Sequence, residues 1–142
     1  MARVKLAMPG EFLFETEIPI RITDINYGGH LGNDSVLALV HEARVQFLAQ
    51  YGFSELDVGE GAGMIQADAV IIFRSEAFYG DVVQIKVTVD DFSATGCDFL
   101  FLLSNKESGK EIARAKTGIV FFDYEKKKLL KVPDSFRTKI GI

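Results

Sequence analysis

The sequence predicts an α+β domain in which one long, buried helix is wrapped by a curved antiparallel sheet. Three observations carry this. The stretch from about Asp34 to Tyr51 has apolar residues at helical spacing around most of its circumference. Four later segments alternate apolar and polar residues with the period of two that strands require, and short turns join them. The order, one strand, one helix and then four strands, leaves a single helix to cover a whole sheet.

The first strand is expected within Phe12 to Ile22, where Phe14, Thr16, Ile18, Ile20 and Ile22 point one way and Glu15, Glu17 and Arg21 the other. Pro19 has no N–H to donate, which makes this an edge strand or an irregular one. A glycine-rich turn follows, and Asn33, Asp34 or Ser35 can cap the helix. Val36, Leu39, Val40, Ala43 and Phe47 form its apolar stripe. Leu37, Ala38, Val45 and Leu48 widen that stripe, so the helix is expected to be covered on nearly all sides. Gly52 ends it.

Residues 53–63 read as a loop with one helical turn at Ser54–Val58. Met64–Ser75 then alternates with Ile65, Ala67, Ala69, Ile71 and Phe73 inward, and Val82–Asp91 with Val83, Ile85, Val87 and Val89 inward. Gly96–Asn105 buries Cys97, Phe99, Phe101 and Leu103, with Leu100 and Leu102 apolar on the other face. Ser108-Gly109 marks a hairpin, Glu111–Tyr124 the last long strand, and Pro133-Asp134-Ser135 the start of a short helix. The strand Phe99–Leu103, apolar on both faces, calls for cover from a second sheet or a second copy of the chain.

Composition narrows the function. At 142 residues and 48% apolar content the chain is expected to be one domain, 1–142, with a real core. A net charge of −4 argues against nucleic acid as the main partner. No apolar run is long enough to span a membrane and no leader-like segment opens the chain, so a cytoplasmic location is expected. A lone Cys97 fits a reducing compartment and a small core residue. One cysteine and two histidines make a protein-held zinc ion improbable, and no metal or organic cofactor is expected.

Chemistry concentrates in Asp24-Ile25-Asn26-Tyr27-Gly28-Gly29-His30-Leu31-Gly32-Asn33. Polar residues there sit between an apolar strand and an apolar helix, whose free N–H groups and positive dipole end face the turn. His30 is suited to proton transfer at neutral pH, or to bracing the loop. Asp24 either acts as a base or braces the helix and orients His30, and Asn26 either forms the turn or holds water. Asn33 is a helix cap first and a substrate contact second. Glu42, two turns into the helix, flanks the core as a base or as one half of a salt bridge, for instance with Arg44 of another copy. His41 is assigned to the surface, and Lys126–Lys128 to a solvated face or a phosphate contact.

The pattern Asp24-x-Asn26-x-x-Gly29-His30-x-x-Asn33, followed by a helix carrying Glu42-Ala43-Arg44, resembles the hotdog-fold acyl-CoA thioesterases of the 4-hydroxybenzoyl-CoA thioesterase-like group. Ala77-Phe78-Tyr79-Gly80-Asp81 and Ala113-Arg114-Ala115-Lys116-Thr117 extend the resemblance over roughly residues 12–138. It implies a helix wrapped by a five- or six-stranded antiparallel sheet, a homodimer or homotetramer, and active sites between subunits. It also implies an acyl thioester of coenzyme A or of acyl-carrier protein as substrate, with coenzyme A entering only as part of it. Catalytic roles fall on Asp24, Asn26, His30 and Glu42, and substrate contacts on Tyr27, Gly29 and Asn33.

The chain departs from the group at one point. Many members carry Asp-x-Asp, with the second aspartate catalytic, where this chain has Asn26, which can neither attack nor take a proton. His30 is its stand-in, as in the plant-type acyl-carrier-protein thioesterases that retain a Gly-His or Gln-His segment there. Two other functions stay open at this stage: a dehydratase or hydratase of β-hydroxyacyl thioesters, whose usual His-Phe-Pro segment is missing, and a binding protein that holds an acyl thioester without cleaving it.

Overall fold

The computed structural model describes residues 2–142. The elements run β1 (Phe14–Pro19), a single 3-10 turn (Ile22–Asp24), α1 (Asn33–Gln50), β2 (Gly63–Phe73), β3 (Val82–Asp90), β4 (Gly96–Asn105), β5 (Glu111–Asp123), β6 (Lys128–Leu129) and α2 (Asp134–Ile140). The strands form one antiparallel sheet in the order β1-β3-β4-β5-β2, with the two-residue β6 beside the end of β5. α1 lies across one face, which is the architecture the sequence predicts.

The inward residues of β3 and β4 are those the alternation selects: Val83, Ile85, Val87, Phe99, Phe101 and Leu103 are fully buried. Phe47 of α1 meets Phe14 and Phe99 edge-on, joining helix to sheet. β1 is an edge strand and Pro19 is its last residue, so the missing N–H breaks no interior ladder.

Three expectations are corrected. In β2 the register slips between Gln66 and Asp68, so Met64, opposite the buried Phe121, faces the core and Ile65, opposite Val120, does not. One extra residue reverses the alternation, and only after this bulge do Ala69, Ile71 and Phe73 take the inward phase. Residues Ser54–Asp57 close on each other through two backbone bonds instead of forming a helical turn. On the outer face of β4, Leu100 is buried within the single chain and Leu102 is half-buried. Leu37, Ala38 and Val45 of α1 are exposed, so that helix is not covered on nearly all sides. On the free edge strand β2 the inward residue Phe73 is also exposed.

No helix among the described residues is long and apolar enough to cross a membrane. Cys97 is buried, and burial pushes its thiol up to about 12, so it is an inert core residue.

Candidate functional site

The segment from Ile25 to Leu31 is a miniature hairpin. Its ends bridge, the Asn26 N–H donates to His30 O (2.9 Å), and the Gly29 N–H returns to Asn26 O (3.0 Å). The Asn26 side chain closes an Asx turn by accepting from the Gly28 N–H at 2.9 Å. Gly29 has φ +84°, a backbone state in which other residues are strained.

Gly28 is where the site converges. A Cβ there would stand 3.2 Å from Asn26 Oδ1 and 3.3 Å from His30 Nε2, so both side chains close on the space its missing side chain leaves. The Leu31 N–H donates to Ala77 O (2.7 Å), which pins the hairpin to the loop before β3.

His30 is half-buried, and its Nδ1 lies 3.3 Å from Leu31 O. A carbonyl can only accept, so this bond, though long, places the proton on Nδ1 and leaves Nε2 as the basic nitrogen. Nε2 faces Glu76 Oε1 at 3.9 Å, too far for a hydrogen bond.

Beside His30 opens a cleft of ≈ 250 Å³. Leu31, Val36, Phe73 and Ile112 give it apolar walls, and His30, Asn33, Arg74, Ser75 and Glu76 supply polar groups. The first turn of α1 borders it. Gly32, not Asn33, Asp34 or Ser35, is the residue before the helix, and no side chain caps it. The Val36 N–H is bonded to Gly32 O, whereas the N–H groups of Asn33, Asp34 and Ser35 precede the first intrahelical bond.

The structure thus brings His30 and Asn33 to the cleft and sets the Asn26 side chain near His30 across Gly28, and it sends the other candidates elsewhere. Asp24 is buried, but its carboxylate accepts from Arg21 N (2.9 Å), Nε and Nη2 (both 3.2 Å), closing the 3-10 turn. That bond holds the Arg21 guanidinium more firmly protonated than usual. Glu42 is exposed on α1 and accepts from Gln46 Nε2 at 2.8 Å, and Gln46 in turn accepts from the Thr16 hydroxyl. Tyr27 projects fully into solvent, and Gly29 contributes only backbone.

Arg44 pairs within its own chain, with Glu55, and Glu55 also accepts from the exposed His41 at 2.6 Å. Glu76 and Ser75 were missed by the sequence reading. They carry no motif of their own, and the only signal for them is that polar residues follow directly on a strand aimed at the turn.

The family model of the thioesterase-like superfamily matches residues 20–140. A 1,4-dihydroxy-2-naphthoyl-CoA thioesterase from Synechocystis superposes with a TM-score of 0.81 at 24% identity, covering 90% of this chain and 95% of that one. A DHNA-CoA thioesterase from Staphylococcus aureus gives 0.74 at 20% identity over 82% and 78% of the two chains. A gentisyl-coenzyme A thioesterase gives 0.77 at 16% identity over 89% and 99%. No curated protein matches the chain by sequence. At these identities the structural likeness is one of fold.

Proposed function

The chain belongs to the thioesterase-like superfamily, with the hotdog fold, and from that premise we propose that it hydrolyses the thioester bond of an acyl-coenzyme A. The observation that carries the reading is His30 in the wall of a cleft bordered by the start of α1, with its Nε2 and the Asn26 side chain both close to Gly28. Asn26 Oδ1 is occupied by the Gly28 N–H, while its amide nitrogen has no partner among the described residues and remains a donor.

In this mechanism a water held between His30 Nε2 and Asn26 attacks the thioester carbonyl carbon and gives its proton to Nε2. The oxyanion is received by backbone N–H groups at the first turn of α1, which have no intrahelical acceptor. The tetrahedral intermediate then collapses, the C–S bond breaks, and the leaving thiolate takes the proton back from His30. Water and the thioester become free acid and thiol, with no other reactant. Asp24 acts by holding the 3-10 turn, and Glu42 takes no proton.

The acyl chain lies along α1 and β2 against a second copy of the chain. Supporting this are the exposed Leu37, Ala38 and Val45 and the unpaired edge of β2. A monomeric mass by light scattering at micromolar concentration would remove that part of the proposal.

The decisive experiment is a panel of acyl-coenzyme A thioesters of varied chain length and aromatic content, read by thiol release, with hydration of crotonyl-coenzyme A alongside. Thiol release with ordinary saturation is the expected result. Hydration without release would make the protein a hydratase, and tight binding without either would make it a carrier.

A further inference from the structure

A second groove, of ≈ 450 Å³, runs between residues 3–7 and the end of β2, and it shares Phe73 and Arg74 with the His30 cleft. Its lining carries four cations, Arg3, Lys5, Arg74 and Arg114, and no carboxylate. This is a local reversal on a chain whose net charge is −4. The nearest counter-charge is Glu111, which takes Arg74 at 3.3 Å and Arg114 at 2.8 Å. One carboxylate therefore serves two guanidiniums, and Arg3 and Lys5 have no ion-pair partner among the described residues.

The N-terminal segment that forms one wall is tied to the sheet. Arg114 Nη1 donates to Leu6 O at 3.0 Å, which ties the N-terminal segment to β5, and the Leu13 N–H donates to Val87 O at 3.0 Å. Ile72 sits on the outer phase of β2, opposite Arg114, and Phe73 on the inner phase, opposite Ala113. A ligand that touches both must pass around the end of the strand from one face of the sheet to the other.

We propose that this groove is a phosphate-binding subsite that takes the 3′-phospho-ADP end of a coenzyme A thioester whose acyl end occupies the His30 cleft. The proposal rests on the thioesterase reading above and adds to it where the carrier end binds. Guanidinium and ammonium groups clustered in a concave surface concentrate phosphate charge, and a forked guanidinium grips two phosphate oxygens. Coenzyme A brings three phosphates to this point. A carrier-protein thioester brings one and no adenosine, so the groove selects free coenzyme A thioesters. The Lys126–Lys128 cluster takes no part, because it stands at the turn between β5 and β6 and lines neither cavity.

The test compares wild type with the doubly substituted Arg3→Ala, Lys5→Ala protein, both residues being exposed and outside the catalytic machinery. The same acyl group is offered on coenzyme A and on pantetheine. KM for the coenzyme A ester should rise about tenfold, the loss of one or two charge-assisted contacts, with kcat within about twofold. KM for the pantetheine ester should not move. Equal changes for both esters, or none for either, overturn the proposal.

A second arm measures binding of 3′,5′-ADP by calorimetry at low ionic strength, with inorganic phosphate as the control. Binding that weakens in the variant and exceeds that of phosphate supports the subsite even if no thioester is hydrolysed, in which case only the thioesterase reading fails. Hydrolysis of acyl-coenzyme A by a protein that binds 3′,5′-ADP no better than phosphate overturns the subsite and leaves the thioesterase reading standing.

Discussion

Two polar clusters beside α1 are built in opposite ways. Midway along it Arg44 is buried, with its donors engaged: Nε and Nη2 on Glu55 Oε2 (3.2 and 3.1 Å), and Nη1 between Gln66 (3.2 Å) and Thr117 (3.4 Å). At its N-terminus His30 is half-buried, one ring nitrogen is bonded, and the other faces a cleft. A buried guanidinium persists only when paired, so the Arg44 cluster fixes β5, the bulge of β2 and the loop after the helix. The turn leaves hydrogen-bonding capacity unused, which is what a reacting water and carbonyl require. Polar groups with every bond satisfied hold the fold, and those with capacity to spare beside a cavity mark the chemistry.

The largest expected effect comes from His30. His30→Ala should lower kcat about 100-fold or more, the range for loss of a general base, with KM nearly unchanged. The acid limb of the pH–rate profile should vanish with it, while circular dichroism and Tm stay close to wild type. Restored activity in the His30→Ala, Asn26→Asp protein would mean that a carboxylate at position 26 can replace the imidazole. Glu42→Gln is the control on the same helix and should change kcat by no more than about threefold, because Glu42 is exposed and bonded to Gln46. A 100-fold loss in Glu42→Gln with full activity in His30→Ala would reverse the assignment of the two ends.

The next effect belongs to the closed cluster. Arg44→Ala strands Glu55 beside His41 and leaves Gln66 and Thr117 without their donor. Losing one member of a buried pair costs 3–5 kcal/mol, and Glu55 keeps 28% of its side-chain surface exposed, so the expected cost falls to about 2–3 kcal/mol. That corresponds to roughly 6–12 °C in Tm by differential scanning calorimetry. Activity per folded molecule should hold within about twofold. A variant as stable as wild type but inactive would place Arg44 with the chemistry and dissolve the contrast.

Much of this was legible in the sequence because it depends on period and punctuation. The alternation in β3 and β4, the apolar stripe of α1, Gly52 at its end and the glycine-rich turn all follow from local chemistry. The bulge in β2 was not legible, since Gln66, Ala67 and Asp68 look like ordinary alternation until Met64 must meet Phe121 across the ladder. Asp24 was legible as bracing or basic, and the arginine three residues before it in the chain takes its carboxylate. The Arg44 cluster was hidden because its members lie 11, 22 and 73 residues from Arg44, a separation no local pattern encodes. The open cleft was hidden for the same reason, as Glu76 reaches His30 from the far end of β2.

The smallest effect tests the limit of the rule. Asp98 lies on the outer face of the sheet, opposite Asp90 and Gly118, and its carboxylate has no hydrogen-bond partner among the described residues. Burial pushes its carboxyl above the usual carboxylate range, nearby Lys116 opposes that shift, and Asp91, Asp68 and Asp90 add to it. It has spare capacity without a cavity beside it, so it should be a cost and not a site. Because its folded-state value is raised, the unfolded chain gives up this proton more readily than the folded one. The group therefore favours the fold at acid pH, below its unfolded value near 3.9, and that contribution is lost as pH rises through the folded-state value. Asp98→Asn cannot ionise and escapes the loss. Its Tm should exceed wild type by roughly 1–2 °C at about pH 7, and the difference should shrink to nothing by about pH 3.5. A variant that instead lost stability at neutral pH would mean that the ionised carboxylate is held by Lys116, and Asp98 would join Arg44 among the groups that secure the fold.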